Sequence, residues 1–559
     1  MSTPPRSRTR DSLLPSFRQH TVTWTDVRWL SLAVLAAATI YASYLATHQY
    51  PAYVGGLYIA ISDQIIAHGY ALPERIPGYT ADGVPFAYPP FMFYVYAVIR
   101  DLFGVDAITL TRLIPGAVLT FMIVPYYFLA RHLLDSKRQA GLASVIFAGA
   151  PAVLRWHLSA GGIVRAPAVT IALLGAYTGI RLFQTGDRRW IVPGMALFGI
   201  EVLTHPTYTV FFAFTYLLAY AAFDRSIQGL VYGAIVAGGG ILLAAPWWLQ
   251  IFATHGPDIF LQASGTHTGL FGGWHRIYWQ FVIPLKEKDI TSVFYLAVFI
   301  ASAYALYRKR YFLAVWAIGA SYLLGKDRFL FIGGAMLIAF LVYDGVLPAI
   351  QTFLSERTSR PDLYRVVSVA VVALVMLTAV GTGVAFATST LQTEYDHSAA
   401  QPATMDTYDR EAMAWMEANT ASDSTFVVMG DTAEWVPLFT DRTILIGPWG
   451  VEWTTSANYY WEVEYYKAIS NCGSASCVTQ LLAFGDRHPD YIYVPKDDYT
   501  VRGKERETTT NMEHSLLESP RYDLAYENEG VLIFEVSRSA TQSSGDETDA
   551  TSSPDGPGR

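Results

Sequence analysis

The chain has 559 residues, of which 52% are hydrophobic and only 15% charged. The net charge of −8 is unevenly spread: from residue 389 onward there are 29 acidic against 11 basic residues, leaving 18 against 28 before it. This excludes an ordinary soluble globule for the first two thirds, and an acidic remainder excludes nucleic acid as a partner.

The first 26 residues are polar and carry Arg6, Arg8, Arg10 and Arg18, which reads as a cytoplasmic tail with no signal-peptide cleavage site. From 27 to 388 one apolar run follows another, and about 18–20 such residues suffice to cross a bilayer. Candidate spans are 29–48, 112–132, 139–157, 163–181, 190–204, 206–223, 228–252, 291–307, 311–324, 328–346 and 365–388. The apolar stretch 89–103 is shorter and is interrupted by Arg100 and Asp101. If it does not cross, the hinges with Arg131/Lys137/Arg138, Arg181/Arg188/Arg189, Arg308/Lys309/Arg310 and Arg357/Arg360 all fall inside, as the positive-inside rule requires. If it crosses, every assignment inverts. The expectation is therefore about eleven crossings, a cytoplasmic N-terminus and an external segment from residue 389 on.

Between the first two spans lies a long loop, 49–88. In it Leu57, Ile61 and Ile65, with Ala60, fall on one helical face, an amphipathic helix suited to the membrane surface. A turn-rich passage follows, with Pro73-Glu74-Arg75 and Tyr79 to Pro85. A long loop held by Gly and Pro over a membrane core is a candidate functional site, the alternative being a structural cap on the bundle.

Beyond 389 the pattern alternates. Thr407–Thr420 is an amphipathic helix; Phe426–Met429, Thr443–Ile446 and Tyr491–Val494 read as short buried strands; Val478–Phe484 is helical. Asp523–Glu527 and Val531–Val536, joined across Asn528-Glu529-Gly530, predict a hairpin. This makes 389–538 a small α/β domain, and the Ser/Thr/Asp/Gly-rich stretch 539–559 a disordered tail. The only cysteines, Cys472 and Cys477, are too few for a structural zinc site. An external location permits a disulfide closing their small loop, the alternative being two unpaired thiols.

The helix 57–69, followed by the passage ending Gly83-Val84-Pro85-Phe86-Ala87-Tyr88-Pro89-Pro90-Phe91, resembles the first external loop of GT-C-fold glycosyltransferases. The protein O-mannosyltransferase and aminoarabinose transferase group is the nearest. Asp101 to Pro115, with Phe103-Gly104 and Arg112-Leu113, resembles that family's passage into the next span. The resemblance covers roughly residues 29–330 and implies a polyprenyl-phosphate-linked sugar donor, transfer on the external face and a catalytic Asp just after the first span. Here Gly55 and Gly56 stand where the family has its Asp-Glu pair, and Tyr88 stands where it has a Lys before Pro-Pro.

A base must then come from elsewhere, and the loop's own carboxylates, Asp63, Glu74 and Asp82, are the candidates, with Glu201 next. For each the bland alternative is a solvated or helix-capping acid. Tyr88, Arg165, His205 and Arg328 are the candidate substrate-binding residues, since in the parity above they emerge on the same side as the loop. His205 lies in Leu203-Thr204-His205-Pro206, matching the family position near the lipid phosphate. Interfacial snorkelling is the alternative for each Arg. The segment 254–290, with His255, Asp258, His267, Trp274, His275, Arg276 and Trp279, could cover the site or anchor at the interface. No cofactor is required by the sequence and no metal-ligand spacing occurs. A non-catalytic relative that binds lipid-linked glycans is the second functional class. A transporter is the third, though no inverted internal repeat is apparent.

Overall fold

A computed structural model describes residues 21–266, 290–357, 361–393 and 398–537, with isolated positions between 275 and 282. His267, Trp274, Arg276, Trp279 and the tail after 537 lie outside the described residues.

Every predicted span is helical. The helices are α1 (Trp24–Thr47), α2 (Gly56–Ala67), α3 (Phe91–Phe103), α4 (Ala107–Leu134), α5 (Lys137–Gly149), α6 (Pro151–His157), α7 (Gly162–Thr185), α8 (Ile191–Val202), α9 (Pro206–Phe223), α10 (Ile227–Leu243), α11 (Ala245–His255) and α12 (Asp258–Gly265). Apolar helices Ile290–Tyr307, Tyr311–Leu324, Asp327–Leu341 and Pro361–Ala387 complete the bundle. Six helices among the described residues are long and apolar enough to cross a membrane, seven if the α10–α11 pair, bent by 58°, is one span. The remaining predicted spans rest on shorter pieces. At 1.5 Å per residue α8 reaches only about 18 Å. Shortness is tolerable where a helix faces protein: α5 is buried along its whole length from Gln139 to Gly149.

Proline sets the breaks. Pro151 and Pro206 each start a helix at a position needing no N–H, and each forces the residue before it, Ala150 or His205, into extended backbone. The stretch 89–103 becomes α3, 13 residues long and about 20 Å, too short for a span. It packs on α2 and exposes Val98, Leu102 and Phe103.

The predicted C-terminal strands form one sheet. β5 (Thr425–Val428) pairs in parallel with β6 (Thr443–Ile444) and with β7 (Tyr491–Pro495). β10 (Tyr522–Glu527) and β11 (Val531–Val536) add the predicted hairpin antiparallel to β7. Short pairs β3–β4 (Gln392–Thr393, Ser398–Ala399) and β8–β9 (Asp498–Val501, Lys504–Glu507) stand apart. Helices Thr407–Asn419, Ser456–Ser470, Ala475–Phe484 and Thr510–Leu517 flank the sheet. Cys472 and Cys477 are joined in a disulfide.

The loop 49–88 belongs to this domain's core as much as to the bundle. Leu57, Ile61, Ile76, Tyr79 and Phe86 share one buried cluster with Met413, Trp435 and Ile444. Its hairpin β1–β2 (Arg75–Ile76, Val84–Pro85) leads to Gly78, whose carbonyl accepts from Ile444 N at 2.8 Å. The amphipathic face predicted for the membrane surface is thus used in part against the soluble domain.

Candidate functional site

In open α/β sheets, ligand sites form beyond the carboxyl ends of parallel strands. Here those ends point at the loop and the bundle. After β5 come Gly430 and a tight turn, Asp431–Trp435, carrying Asp431 and Glu434. After β6, Gly450 in the left-handed region introduces the turn Val451–Trp453, carrying Glu452. After β7, the β8–β9 hairpin turns at Arg502-Gly503, both with positive φ, as a type I′ turn demands. The Asp431 carboxylate clamps that turn, accepting from Arg502 N at 2.8 Å and Gly503 N at 2.7 Å.

Glu434 is buried. Its Oε1 accepts from Leu57 N at 3.1 Å, capping the first turn of α2, while Oε2 has no hydrogen-bond partner among the described residues. Burial pushes its carboxyl up to about 8, with Asp431 and Glu452 adding to the shift and the Leu57 N–H and Arg502 opposing it. Gly56 makes this contact possible. A Cβ there would run into the Glu434 carbonyl oxygen and lie 3.0 Å from its carbon. Glu452 is half-buried and accepts a hydrogen bond from the Tyr88 hydroxyl. Burial raises its carboxyl too, against that hydrogen bond and the Arg502 charge. Tyr88 also packs on Trp453 at 4.9 Å and on Tyr58 at 6.0 Å.

Tyr58 links these acids to the bundle. Arg165 Nη2 reaches its hydroxyl at 3.5 Å, and its phenol feels both Glu452 and Glu434. Arg165 sits on the first turn of α7, where Gly161-Gly162 follow the break after α6, and its guanidinium lies 5.2 Å from the Trp156 ring. Arg328, buried at the start of its helix, lies 5.4 Å from the Tyr208 ring. Both guanidinium charges are felt at Tyr208 and His157. His157 Nε2 meets the Tyr208 hydroxyl at 2.5 Å. His205 caps α9 by accepting from Thr207 N at 3.3 Å, and its ring packs edge-on to Tyr208 at 5.2 Å. Glu201, on α8, is fully buried with neither carboxylate oxygen partnered among the described residues, and its charge reaches Tyr208.

A continuous polar strip therefore runs from Arg328 and His205 through Tyr208, Arg165 and Tyr58 to Tyr88, Glu452 and Glu434. It contains all four residues singled out for substrate binding. The loop carboxylates are placed otherwise. Asp63 forms a bidentate pair with Arg100, at 2.6 and 2.9 Å. Glu74 and Asp82 are exposed, and no hydrogen bond or ion pair ties their carboxylates to the strip. Asp431, Glu434, Glu452 and Arg502 are absent from the sequence-based candidates. The signal was available: each lies a few residues beyond a predicted strand, after a Gly or within an X-Gly turn. No group of three or more His, Cys, Asp or Glu suited to a metal ion occurs among the described residues.

No family model matches the sequence, and no curated protein matches it. Solved structures do. The aminoarabinose-type transferase ArnT from Cupriavidus metallidurans matches with a TM-score of 0.52 at 14% identity, over 91% of this chain and 98% of that one. The chain has the GT-C fold. Two further GT-C proteins match at a TM-score of 0.51. The oligosaccharyltransferase of Archaeoglobus fulgidus does so at 14% identity over 84% of this chain and 69% of its own. The mycobacterial arabinofuranosyltransferase AftD does so at 16% identity over 91% and 40%. At such identities the likeness concerns the fold. In this GT-C chain the strip lies where the bundle, the first long loop and the C-terminal domain meet.

Proposed function

We propose that this chain is a membrane glycosyltransferase that moves a sugar from a polyprenyl-phosphate-linked donor to an acceptor hydroxyl on the external face. The observation that carries the reading is the pairing, in one strip, of fixed cations from the bundle with raised carboxyls from the C-terminal domain. Arg165 and Arg328, with His205, suit the phosphate that departs as the glycosidic bond breaks, and pre-placed cations stabilise the charge developing there. Glu452 is the base we assign. It is half-buried, so a substrate can reach it, and its raised carboxyl lies nearer the working pH, where proton abstraction is most effective. Tyr88 and Arg502 hold it, and Glu434 positions α2 beneath it. The neighbours support the donor class: the Archaeoglobus fulgidus enzyme has been solved with a dolichol-phosphate.

The second reading, a protein that binds a lipid-linked glycan without transferring it, is favoured by Gly55-Gly56 at the start of α2 and by the engagement of Asp63 with Arg100. One experiment separates them. The full chain is reconstituted in liposomes with polyprenyl-phosphate sugars and scored for donor binding and for sugar release to an acceptor. Release by wild type that collapses in Glu452→Gln, with donor binding kept, supports transfer. Binding without release by wild type sinks it and leaves the second reading.

A further inference from the structure

A second concavity opens behind the strip, between the end of α1 and the C-terminal domain, with a volume of about 490 Å³. That is within the range of small-molecule sites. One wall is the segment 47–50 with Thr388-Ser389, the other the segment 399–407 with β8 and Glu505. The walls are fixed to each other. His48 Nε2 meets the Gln401 carbonyl at 2.9 Å, Ser389 Oγ donates to the same carbonyl at 2.9 Å, and Tyr53 N donates to the Pro402 carbonyl at 3.0 Å.

Two features of the lining are unsatisfied. Gln401 is 1% exposed, yet neither end of its side-chain amide has a hydrogen-bond partner among the described residues; nor does the hydroxyl of Thr500, 6% exposed. Leaving a buried polar group unpaired costs about 1–3 kcal/mol, so this lining favours an occupant rich in hydroxyls. The rim carries Asp406, Asp498 and Glu505 and lacks any Lys or Arg, which disfavours phosphate, uronate and sulfate. Tyr50 and Tyr499 offer ring faces for stacking. Carboxylates, amides, hydroxyls and tyrosines with little apolar lining suit a carbohydrate better than a peptide or an acyl chain.

We infer that this crevice is a binding site for a neutral oligosaccharide of two or three sugar units, separate from the cationic strip. Its position gives it a use. β8 forms part of its wall and runs on to Arg502, two residues beyond Thr500, or about 7 Å of extended chain. A glycan held there by one end directs the other toward Arg502 and Glu452. Binding itself is independent of transfer and can be measured without a donor.

The test is saturation-transfer NMR on the full chain in nanodiscs, titrated with maltotriose, mannotriose, a uronate-containing trisaccharide and tri-lysine. We expect at least one neutral trisaccharide to bind and the uronate to bind more weakly. Gln401→Leu should weaken the neutral sugar by about tenfold. Asp498→Asn should narrow the preference over the uronate, a change that a purely structural role would not produce. Binding of polyprenyl phosphate should stay at the wild-type level in both, which keeps failure here distinct from failure of the transfer reading. Should Gln401→Leu not fold, the exposed Asp498 decides the matter. Absence of saturable binding by either neutral sugar, an unchanged uronate preference in Asp498→Asn, or binding by tri-lysine alone overturns the inference.

Discussion

Glu452 and Glu434 are both buried acids, and the structure gives them different tasks. Removing a general base typically costs about 10²–10⁴-fold in rate, so Glu452→Gln should lose that much transfer while still binding donor. Asp63→Asn is the contrasting case. Its pair with Arg100 is part-exposed, with side-chain exposures of 35% and 20%, and such pairs contribute about 0–1 kcal/mol. Transfer by Asp63→Asn in the same assay should stay near wild type; a loss comparable to that of Glu452→Gln would return the base to the loop. Glu434 has a pH signature in stability. Its folded carboxyl is raised from 4.5 to about 8, so the fold favours the neutral form. That contribution is complete below the unfolded value and is lost as pH rises through about 8. Melting temperature should therefore fall between about pH 5 and about pH 9 in wild type, and fall less in Glu434→Gln, which stays neutral throughout. Parallel curves would show that Glu434 does not ionise in that window.

At the scale of elements, the joint between α2 and the turn Asp431–Trp435 decides whether the site assembles. Gly56→Ala places a methyl against backbone, which cannot swing aside as a side chain can, and such overpacking costs about 1–3 kcal/mol. It should lower the melting temperature and release the loop to protease near residues 70–88. Gly238→Ala, in α10 with nothing within 4 Å of the added Cβ, is the matched control and should be neutral or slightly stabilising. Equal effects from both would mean that the joint is looser than drawn. Gly450 has the same role on the other side, since a Cβ there would strike Val84 of β2. The glycines of this chain thus mark where the loop and the domain touch. The sequence showed Gly55-Gly56 only as a missing acid pair, because close approach between segments some 380 residues apart leaves no local pattern.

For the whole molecule, the charge bias of the hinges and the number of spans put the C-terminal domain outside. Protease added to intact cells should then remove the chain beyond about residue 390, and protection until lysis would reverse the topology. Hydrophobic runs, Pro breaks and strand patterns are local properties, so the sequence alone determined the helical bundle, the position of each helix, the α/β character of the C-terminal domain and its hairpin. It also picked out Tyr88, Arg165, His205 and Arg328, because cations at the ends of apolar spans are visible one at a time. What only the tertiary structure decided is which acids face them. Asp63, Glu74 and Asp82 are neighbours of α2 in sequence, whereas Glu434 and Glu452 are its neighbours in space. The reason is physical: the apolar face of the loop is buried against the C-terminal core, and that burial carries the carboxyl ends of β5 and β6 onto the mouth of the bundle.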